Sequence, residues 1–285
     1  GKYQHQNPKA PLARDLSGQR VMIGRNQGVG DELFFMRFLP LLKARNAQVV
    51  YISEARMLGF ANRLPFIDGT IASDTPLTSV SDIIAIDDLP YFLELGDTDT
   101  PASIRIAAQP EALQRAAIAL MQAGPPPYLG VTWRAGRLHT DVDHSKETTK
   151  ILFKEAPIEG LAAALRDWPG TIIMLQRNPE AHEVAQFQQA LGRNAVDFTA
   201  ANSDLEYMLA LLSLIERYVA VSNTNLHLRA AAGLPTHVLV PTPAEWRWGF
   251  ADAPSIWFPQ CPTYRQTLQG DWQPALNRLH DELLK

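Results

Sequence analysis

Short apolar runs alternate with longer amphipathic segments along the second half of the chain. The runs are rich in strand-forming residues and unbroken by polar positions, as is typical of strands buried on both faces. In the longer segments, apolar residues recur every three to four positions, which predicts helices. The predicted strands are Tyr128–Trp133, Thr171–Gln176, Ala195–Phe198, Arg217–Ser222 and Thr236–Pro241. The predicted helices are Pro157–Trp168, Pro179–Gly192, Ser203–Ile215 with Ser203 as its N-cap, and Leu226–Gly233. This alternation predicts a parallel sheet with helices on both faces.

The first half follows the same alternation less regularly. Its predicted strands are Arg20–Gly24, Ala47–Ser53, Thr70–Ser73 and Ser81–Asp87, and its predicted helices are Asp31–Arg45, Glu54–Leu64 and Pro110–Gly124. Three prolines follow at 125–127 and cannot continue a helix, so we predict the domain boundary there. The predicted architecture is α/β, with two Rossmann-like domains whose strands point their carboxyl ends into a shared cleft. The predicted domains are residues 1–124 and 125–269. A C-terminal helix at 270–285 follows, with packing back on the N-terminal domain as one option.

Composition narrows the class of protein. Hydrophobic residues make up 46% of the 285 positions, which is enough for substantial cores, and a net charge of −4 does not suggest a nucleic-acid surface. A single cysteine, Cys261, excludes an internal disulfide framework and fits a reducing compartment, so we expect a cytoplasmic protein with a structural cysteine. No apolar run is long enough to span a membrane, and no signal-peptide core is present at the start. The polar first residues suggest a fragment cut from a longer chain.

The loop after the first predicted strand carries Gly28 and Gly30, where phosphate-binding loops often occur. Leu33 stands where a dinucleotide fingerprint needs its third glycine, and Asp31 stands where a P-loop needs lysine, so neither motif is present. The simpler interpretation is a tight turn in which Asp31 caps the next helix and Glu32 favours the helix dipole. A second interpretation adds that Asp31 projects into the cleft as a general base, because a helix N-terminus favours its ionised form.

Several segments in the correct order resemble heptosyltransferase-type glycosyltransferases. The resemblance is greater still to the transferase domains of bacterial proteins that carry tetratricopeptide repeats upstream. The segments are residues 28–31 with the following helix, Gly130–Gly136, Lys154–Pro157, Leu175–Glu183, Val221–Trp248 and Tyr264–Trp272. No single segment is specific, but their order extends over nearly the whole chain from Arg20. The resemblance implies the two-domain GT-B fold and a hexosyl- or heptosyltransferase-like enzyme. Such an enzyme is inverting and metal-independent, and it needs no cofactor, since the nucleotide-sugar is a substrate.

The resemblance also implies roles for individual residues. Asp31 corresponds to the base that deprotonates the acceptor hydroxyl, and Lys154 to the cation that neutralises the departing diphosphate. Arg134 and Arg177 are further cation candidates at strand ends, and a solvated surface charge is the alternative for Lys154 and Arg177. The remaining donor-binding candidates are Gly28, Gly30, Trp133, Gln176, Ser222, Asn223, Thr224, Asn225, His227 and Trp246.

Two of these candidate groups have plainer alternatives. The segment Ser222–His227 opens a helix, and its N–H groups and hydroxyls suit an anion. Related sequences usually carry an acid near its start, where Ser222 or Asn223 stands here. His227 fits the family's helix histidine or is a capping or core residue. Trp246, next to Arg247, belongs to a packed loop with a cation–π contact or to a platform for a base or sugar.

Metal binding is only weakly suggested. The chain contains Asp-x-Asp triplets at Asp97–Asp99 and Asp141–Asp143, but at this aspartate content such triplets arise by chance. The segment His139–His144 lies in a long polar loop, which we interpret as a loop that orders over the donor rather than a metal cluster. We therefore expect no metal.

The expected partners are a nucleotide-sugar donor and a glycan or protein acceptor, with an upstream repeat domain outside this chain as a further one, and no nucleic acid. One alternative is a catalytically inactive module that binds a nucleotide-sugar or acts as a scaffold. It is motivated by the missing acid near Asn223 and by the loss of pattern between Asp87 and Ala108. The other alternative is a nucleotide-sugar epimerase, which shares this fold.

Overall fold

The computed structural model describes residues 10–76, 83–135, 154–249 and 253–285. Its strands are β1 Arg20–Gly24, β2 Gln48–Ser53, β3 Gly69–Ala72, β4 Ile83–Ala85, β5 Tyr128–Thr132, β6 Thr171–Met174, β7 Val196–Asp197, β8 Arg217–Val221, β9 His237–Val240 and β10 Thr263–Arg265. Its helices are α1 Val29–Phe35, α2 Leu39–Ala44, α3 Ala55–Ala61, α4 Leu89–Phe92, α5 Pro110–Ala123, α6 Ile158–Leu165, α7 Ala181–Leu191, α8 Leu205–Leu214, α9 Thr224–Ala231 and α10 Gln273–Leu283. Two compact units result, Gly1–Ala107 and Ala108–Lys285.

The first unit contains a four-stranded parallel sheet in the order β3-β2-β1-β4. Its strands are apolar runs because both faces are covered, and Ile23, Val49, Ile52 and Ile83 are fully buried. From β1 the chain moves to β2 and β3 on one side and later to β4 on the other. The topological switch point of this sheet therefore lies between β1 and β4, beside the loop that leads into α1.

The second unit contains a six-stranded parallel sheet in the order β10-β9-β8-β5-β6-β7. From β5 the chain moves outward through β6 and β7, then returns to β8 on the other side of β5 and continues to β9 and β10. This is the strand order of a doubly wound Rossmann-type sheet, with its switch point between β5 and β8. Large apolar residues such as Leu129, Val131 and Val219 form the core beneath its helices. The predicted α/β class with two parallel sheets is confirmed.

Helix α5 belongs to the second unit, whereas the sequence predicted that it would close the first domain at Gly124. The helix packs against α8, where Arg115 pairs with Asp204 at 2.5 Å and its guanidinium lies 4.0 Å from the ring centroid of Tyr207. The prolines that follow are bound within the same unit, because Thr171 donates its amide to the carbonyls of Pro125 (3.2 Å) and Pro127 (3.1 Å). The proline segment connects α5 to β5 and does not divide the two units, which separate after Ala107.

The C-terminal helix α10 also packs within the second unit, against α6. Leu276 and Leu279 enter the core of that unit, and the ring of His280 lies 3.2 Å from the carbonyl oxygen of Ala164. Gly160 leaves room for Leu276 here, because a Cβ at this position would lie 2.9 Å from a methyl of Leu276. This position differs from the option of packing on the N-terminal domain.

Several helices begin elsewhere than the sequence predicted. The N-cap of α8 is Asp204, whose carboxylate accepts from the amides of Glu206 (3.1 Å) and Tyr207 (3.0 Å), so the expected cap Ser203 lies outside the helix. Helix α9 begins at Thr224, two positions before the predicted start. The long predicted helix Asp31–Arg45 is divided into α1, a 3-10 turn at Met36–Phe38 and α2, and the second residue of α2 is Pro40.

Candidate functional site

An open pocket lies at the carboxyl ends of four neighbouring strands of the second sheet. Its lining consists of Thr132 at the end of β5, Arg134 just after it, Arg177 after β6, Asn202 after β7, and residues 223–225 after β8. The pocket thus lies at the switch point between β5 and β8, where open α/β sheets bind their ligands. Thr132 and Asn202 were not predicted. Thr132 lies near the end of the predicted strand Tyr128–Trp133, and this position is the signal that could have found it. Asn202 lies in a turn four residues beyond the predicted strand Ala195–Phe198, where no local signal marks it.

Several of the neutral polar side chains that line the pocket are hydrogen-bonded to one another or to residues next to the pocket. Asn225 donates to the side-chain oxygen of Asn202 (3.1 Å), and Asn202 in turn donates to the carbonyl of Leu175 (3.1 Å). The hydroxyls of Thr132 and Tyr218 lie 2.8 Å apart. Burial raises the pKa of Tyr218 to about 12, so its hydroxyl stays neutral at physiological pH. This network fixes the side chains at the ends of three strands.

The start of α9 forms one side of the pocket. Asn223 is the N-cap, and its side-chain oxygen accepts from the amide of Leu226 at 2.9 Å. Asparagine caps a helix about as well as aspartate does. The capping contact therefore does not need the acid that the resemblance led us to expect here. Thr224 and Asn225 follow in the first turn, where backbone N–H groups have no acceptor within the helix.

Two further residues near this helix start are buried and lie outside the pocket lining. The Ser222 hydroxyl is buried and has no hydrogen-bond partner among the described residues. His227 is buried on α9, with its ring 5.6 Å from that of Phe258. The capping role considered for His227 belongs to Asn223, and its burial agrees with the alternative of a core histidine.

Arg134 lines the pocket, but its charge is neutralised within the protein. Its guanidinium makes two 2.6 Å bonds to the carboxylate of Glu183, and the side chains are only 5% and 7% exposed. Burial alone would raise the pKa of Glu183, but hydrogen bonds from Arg134, from the Glu180 amide and from Trp133 lower it. Glu183 is also part of the capping box of α7. Arg134 therefore attaches the end of β5 to α7.

Trp133 and Gln176, both predicted to bind the donor, lie behind the wall of the pocket. Trp133 is 1% exposed, stacks on Phe187 at 5.3 Å and donates its indole N–H to Glu183. Gln176 is fully buried, and its side-chain oxygen accepts from the amides of Trp133 (3.1 Å) and Arg134 (3.0 Å). Their burial prevents direct ligand contact in this conformation, so they shape the turn after β5 instead.

Arg177 differs from Arg134 in its exposure and in its ion pairing. It is exposed and lines the pocket. Within the part of the chain that the structure describes, its guanidinium makes neither an ion pair nor a hydrogen bond. Arg177 is therefore the arginine of this lining whose charge is not compensated by a described carboxylate, and an anion can approach it without first displacing one.

Lys154 belongs to a second polar cluster. Its backbone carbonyl accepts from Ala135 at 2.8 Å, beside the end of β5, and its ammonium lies 2.9 Å from the carboxylate of Glu245. Glu245 also pairs with Arg247, whose guanidinium lies 4.6 Å from the ring centroid of Trp246. Trp246 is 50% exposed, and Trp257 meets it edge-on at 5.8 Å. The cation–π contact of the packed-loop interpretation is present. The exposed part of the Trp246 ring is still accessible for stacking.

The Glu245 cluster predicts a pH dependence for the stability of the second unit. Burial would raise the pKa of Glu245, but the charges of Lys154 and Arg247 outweigh it and lower the pKa to about 2. A lowered pKa stabilises the fold above the ordinary value of 4.5, and this stability is lost as the pH falls toward 2. Between about pH 6 and pH 3, Glu245 should contribute a loss of about 2 kcal/mol in the free energy of unfolding. In Glu245→Gln, this contribution to the decrease in the free energy of unfolding with falling pH should be absent.

Urea unfolding followed by tryptophan fluorescence measures this effect, because all six tryptophans lie after Ala107 and report on the second unit. The matched control is Glu111→Gln, which removes an exposed carboxylate from α5. Equal slopes of stability against pH in Glu245→Gln and the wild type would contradict the prediction.

In the first unit, the loop after β1 leads directly into α1. Gly28 is the N-cap, with an extended backbone, and the Glu32 amide bonds to its carbonyl at 3.0 Å. The helix therefore starts at Val29, and Gly30 and Asp31 lie inside its first turn. The prediction that Asp31 is the N-cap is wrong, because helical hydrogen bonding begins three residues earlier. Asp31 is partly exposed and still benefits from the helix dipole.

Glu32 was expected only to favour the helix dipole, but it is fully buried. Its carboxylate accepts from the hydroxyl of Tyr51 at 2.6 Å and from that of Ser53, and the Nε of Arg25 lies 3.2 Å away. Burial raises the pKa of Glu32, and the hydrogen bonds from Ser53 and Tyr51 and the charge of Arg25 only partly oppose this. This burial depends on partners at the ends of β1 and β2, which the residues next to Glu32 do not reveal.

Neither metal binding nor membrane insertion receives support from the described residues. No three or more His, Cys, Asp or Glu side chains converge in this part of the chain. The carboxylate of Asp99 accepts from the Gly96 amide at 2.8 Å and so closes a turn. Segment His139–His144, with Asp141–Asp143, lies outside the described residues. None of the described helices combines the length and apolarity that crossing a bilayer requires.

Two parallel Rossmann-type sheets define the GT-B class of fold, and solved structures of this class resemble the chain. One is the glycosyl transferase family 9 protein from Veillonella parvula, with a TM-score of 0.61, 13% identity, and coverage of 90% of this chain and 88% of the other. Another is ADP-heptose LPS heptosyltransferase II from E. coli, with a TM-score of 0.61, 11% identity, and coverage of 93% and 98%. At these identities the likeness confirms the predicted GT-B fold alone.

A sequence relative extends the comparison. The chain is 24% identical over 293 residues to Protein FlbA of Caulobacter vibrioides, across 93% of this chain and 46% of FlbA. The chain thus spans about half the length of that relative. No family model matches the chain.

Proposed function

We propose that the chain is a glycosyltransferase that moves a sugar from a nucleotide-sugar donor to an acceptor hydroxyl, with inversion and without a metal or cofactor. The observation that carries the proposal is the pocket at the β5/β8 switch point, where exposed Arg177 and the start of α9 provide a cation and backbone donors. Both features suit the phosphates of a nucleotide. The proposal also draws support from the fold likeness to a heptosyltransferase whose name includes ADP-heptose.

The proposed chemistry is a single displacement. The acceptor oxygen attacks the anomeric carbon as the bond to the nucleotide phosphate breaks, so the sugar inverts and the negative charge stays on the leaving nucleotide. Asp31 takes the acceptor proton as general base. Arg177 and the amides at the start of α9 stabilise the charge that develops on the leaving group. Lys154 contributes once phosphate replaces Glu245 as its partner, and the exposed face of Trp246 offers a surface on which a base or sugar stacks.

The sugar, the acceptor and the location are proposed only as broad classes. We propose a hexose or heptose as the sugar and a glycan or protein as the acceptor, with a cytoplasmic location. Because FlbA extends well beyond the matched region, we also propose that such a domain works next to a further, repeat-containing segment.

The identity of the donor is the first experimental test. Thermal unfolding of the second unit, followed by tryptophan fluorescence, is measured with UDP-, GDP-, ADP- and CMP-sugars in turn. A ligand that binds only the folded state raises the unfolding temperature by mass action. We expect one nucleotide class to raise the unfolding temperature clearly more than the others, and Arg177→Met to lose most of that increase. No increase with any nucleotide-sugar at millimolar concentration would contradict the proposal.

One observation favours the alternative of an inactive binding module. Arg134 and Lys154 are both paired with carboxylates, which leaves Arg177 as the uncompensated cation among the described candidates. Turnover assays with the donor found above separate the alternatives. Transfer to any acceptor supports the enzyme, binding without turnover supports the module, and a changed sugar configuration without acceptor identifies an epimerase.

A further inference from the structure

Glu32 is a buried carboxylate next to Asp31 on α1, and the proposed reaction assigns it no role. Glu32 is 0% exposed, and a glutamate is almost never fully buried unless it is paired. The charged network around it lies at the carboxyl ends of β1 and β2, at the base of the loop that carries Gly28. Burying a carboxylate is costly unless it is paired, so its partners indicate which elements it connects.

Two hydroxyls and one guanidinium converge on the Glu32 carboxylate. One oxygen accepts from the hydroxyls of Tyr51, at 2.6 Å, and Ser53, both near the end of β2. The other oxygen lies 3.2 Å from Nε of Arg25, just after β1. Two hydroxyls donate to one oxygen, and the other oxygen accepts no hydrogen bond among the described residues but faces the positive charge of Arg25. The site is therefore matched to a carboxylate, which accepts hydrogen bonds and carries the opposite charge. Hydrogen bonds to an ionised group are also the stronger kind.

The same network holds both ends of the loop before α1. The Arg25 amide donates to the carbonyl of Ile52 at 3.1 Å, and its guanidinium donates to the carbonyl of Gln27 at 2.9 Å. Arg25 pairs in addition with Glu54, just beyond β2. At the other end, Glu32 attaches the first turn of α1 to β2. The loop between these two points is therefore anchored to the same strand end on both sides.

This anchoring fixes the direction of Asp31. Adjacent residues of an α-helix point about 100° apart around its axis. Because Glu32 is held toward the sheet by three partners, α1 cannot rotate about its axis, and Asp31 must leave the helix on a face that is not buried. The partial exposure of Asp31 agrees with this geometry.

We propose that Glu32 is a positioning residue, which uses Tyr51, Ser53 and Arg25 to set the orientation of Asp31 for proton transfer. The inference rests on the proposed function, because it takes Asp31 as the base. Glu32 itself touches no substrate. Its carboxylate has to be present in the ionised, accepting form, since an amide of the same size would direct an NH₂ group at a donor.

The first test compares Glu32→Gln with Asp68→Asn. Both changes remove a carboxylate that links elements of the first unit, since Asp68 accepts from Lys43 at 2.8 Å and from the Val49 amide at 2.7 Å. Circular dichroism first identifies a temperature at which both variants are folded. Glu32→Gln should then lower kcat at least tenfold with donor KM within about twofold, because a 1 Å displacement of a catalytic group costs on that order or more. Asp68→Asn should leave both constants near wild type. Equal losses of kcat in the two variants would overturn the proposal.

A double-mutant cycle tests whether Glu32 acts through Asp31. In an Asp31→Asn background, Glu32→Gln should lower kcat no further, because residues that act as a unit are not additive. A full additional tenfold loss would show an independent role and overturn the proposal. If Glu32→Gln does not fold, Tyr51→Phe takes its place in both tests, since it removes one donor and keeps the ring, and a smaller loss of kcat in the same direction is expected.

Hydrogen exchange provides a measurement that does not depend on activity. The amides between Arg25 and Asp31 should exchange about tenfold faster in Glu32→Gln and at the wild-type rate in Asp68→Asn. Unchanged exchange in this loop would overturn the anchoring. If Asp31→Asn keeps wild-type turnover while the loop exchange still rises, the base assignment in the proposed function fails and the anchoring stands, so the two failures are distinguishable.

Discussion

Replacing Asp31 by asparagine is expected to lower the rate of sugar transfer by about 10²–10⁴-fold, the range for loss of a general base. The amide keeps the size of the side chain and its place in the first turn of α1, but it cannot take the proton of the acceptor hydroxyl. Donor affinity should stay within about twofold, since the proposed phosphate contacts come from Arg177 and the start of α9 in the other unit. The measurement pairs steady-state transfer assays with the donor-induced increase in unfolding temperature.

The control for this variant is Asp97→Asn, which removes an exposed carboxylate from a turn of the same unit. It changes the net charge equally and should leave transfer unchanged. Wild-type turnover in Asp31→Asn would show that another group accepts the proton. A joint loss of transfer and of donor binding would assign Asp31 a role in donor recognition instead of in proton transfer.

The sheets could be predicted because their signal is local. Strands buried on both faces must be apolar throughout, so runs such as Tyr128–Trp133 stand out from amphipathic helices in any single chain. Parallel pairing then requires crossover helices and places all the strand ends at one edge. The location of the pocket follows from this topology, and Arg177 and residues 223–225 could be predicted from it without a structure.

Side-chain pairing could not be predicted in the same way. Arg134 and Arg177 each follow a strand and look equivalent in the sequence, but Glu183 neutralises only one of them, and it lies 49 positions away along the chain. The burial of Trp133 and Glu32 likewise depends on residues from other elements. Long-range contacts of this kind decide which charges are available to a ligand, and local residue patterns contain little information about them.

The domain boundary shows the same limit. Helix α5 ends at Ala123, just before prolines 125–127, and this break in helical structure alone predicts a domain boundary. The packing of α5 on α8, with Arg115 paired to Asp204, decides the boundary instead. Local backbone chemistry determines where an element ends, whereas buried surface determines which unit the element joins.

The two arginines of the pocket should respond to the same substitution in opposite ways. Arg177→Met should raise the donor KM by about 10–100-fold, because it removes a charge-assisted hydrogen bond of about 1.5–3 kcal/mol. Its stability should stay near wild type, since the side chain is exposed and makes no ion pair with the described residues. Arg134→Met should instead lower the free energy of unfolding of the second unit by about 3–5 kcal/mol, because it leaves the buried carboxylate of Glu183 without its partner.

Urea unfolding by tryptophan fluorescence and donor titration on the same two variants measure both quantities. The pair serves as its own control, since each variant removes one guanidinium and keeps an unbranched apolar side chain at the end of a neighbouring strand. An unstable Arg177→Met would mean that this side chain supports the fold, and the donor pocket would then lack an available cation. A stable Arg134→Met with weakened donor binding would mean that phosphate displaces Glu183 when the donor binds, so that the buried ion pair is the resting state of a second phosphate ligand.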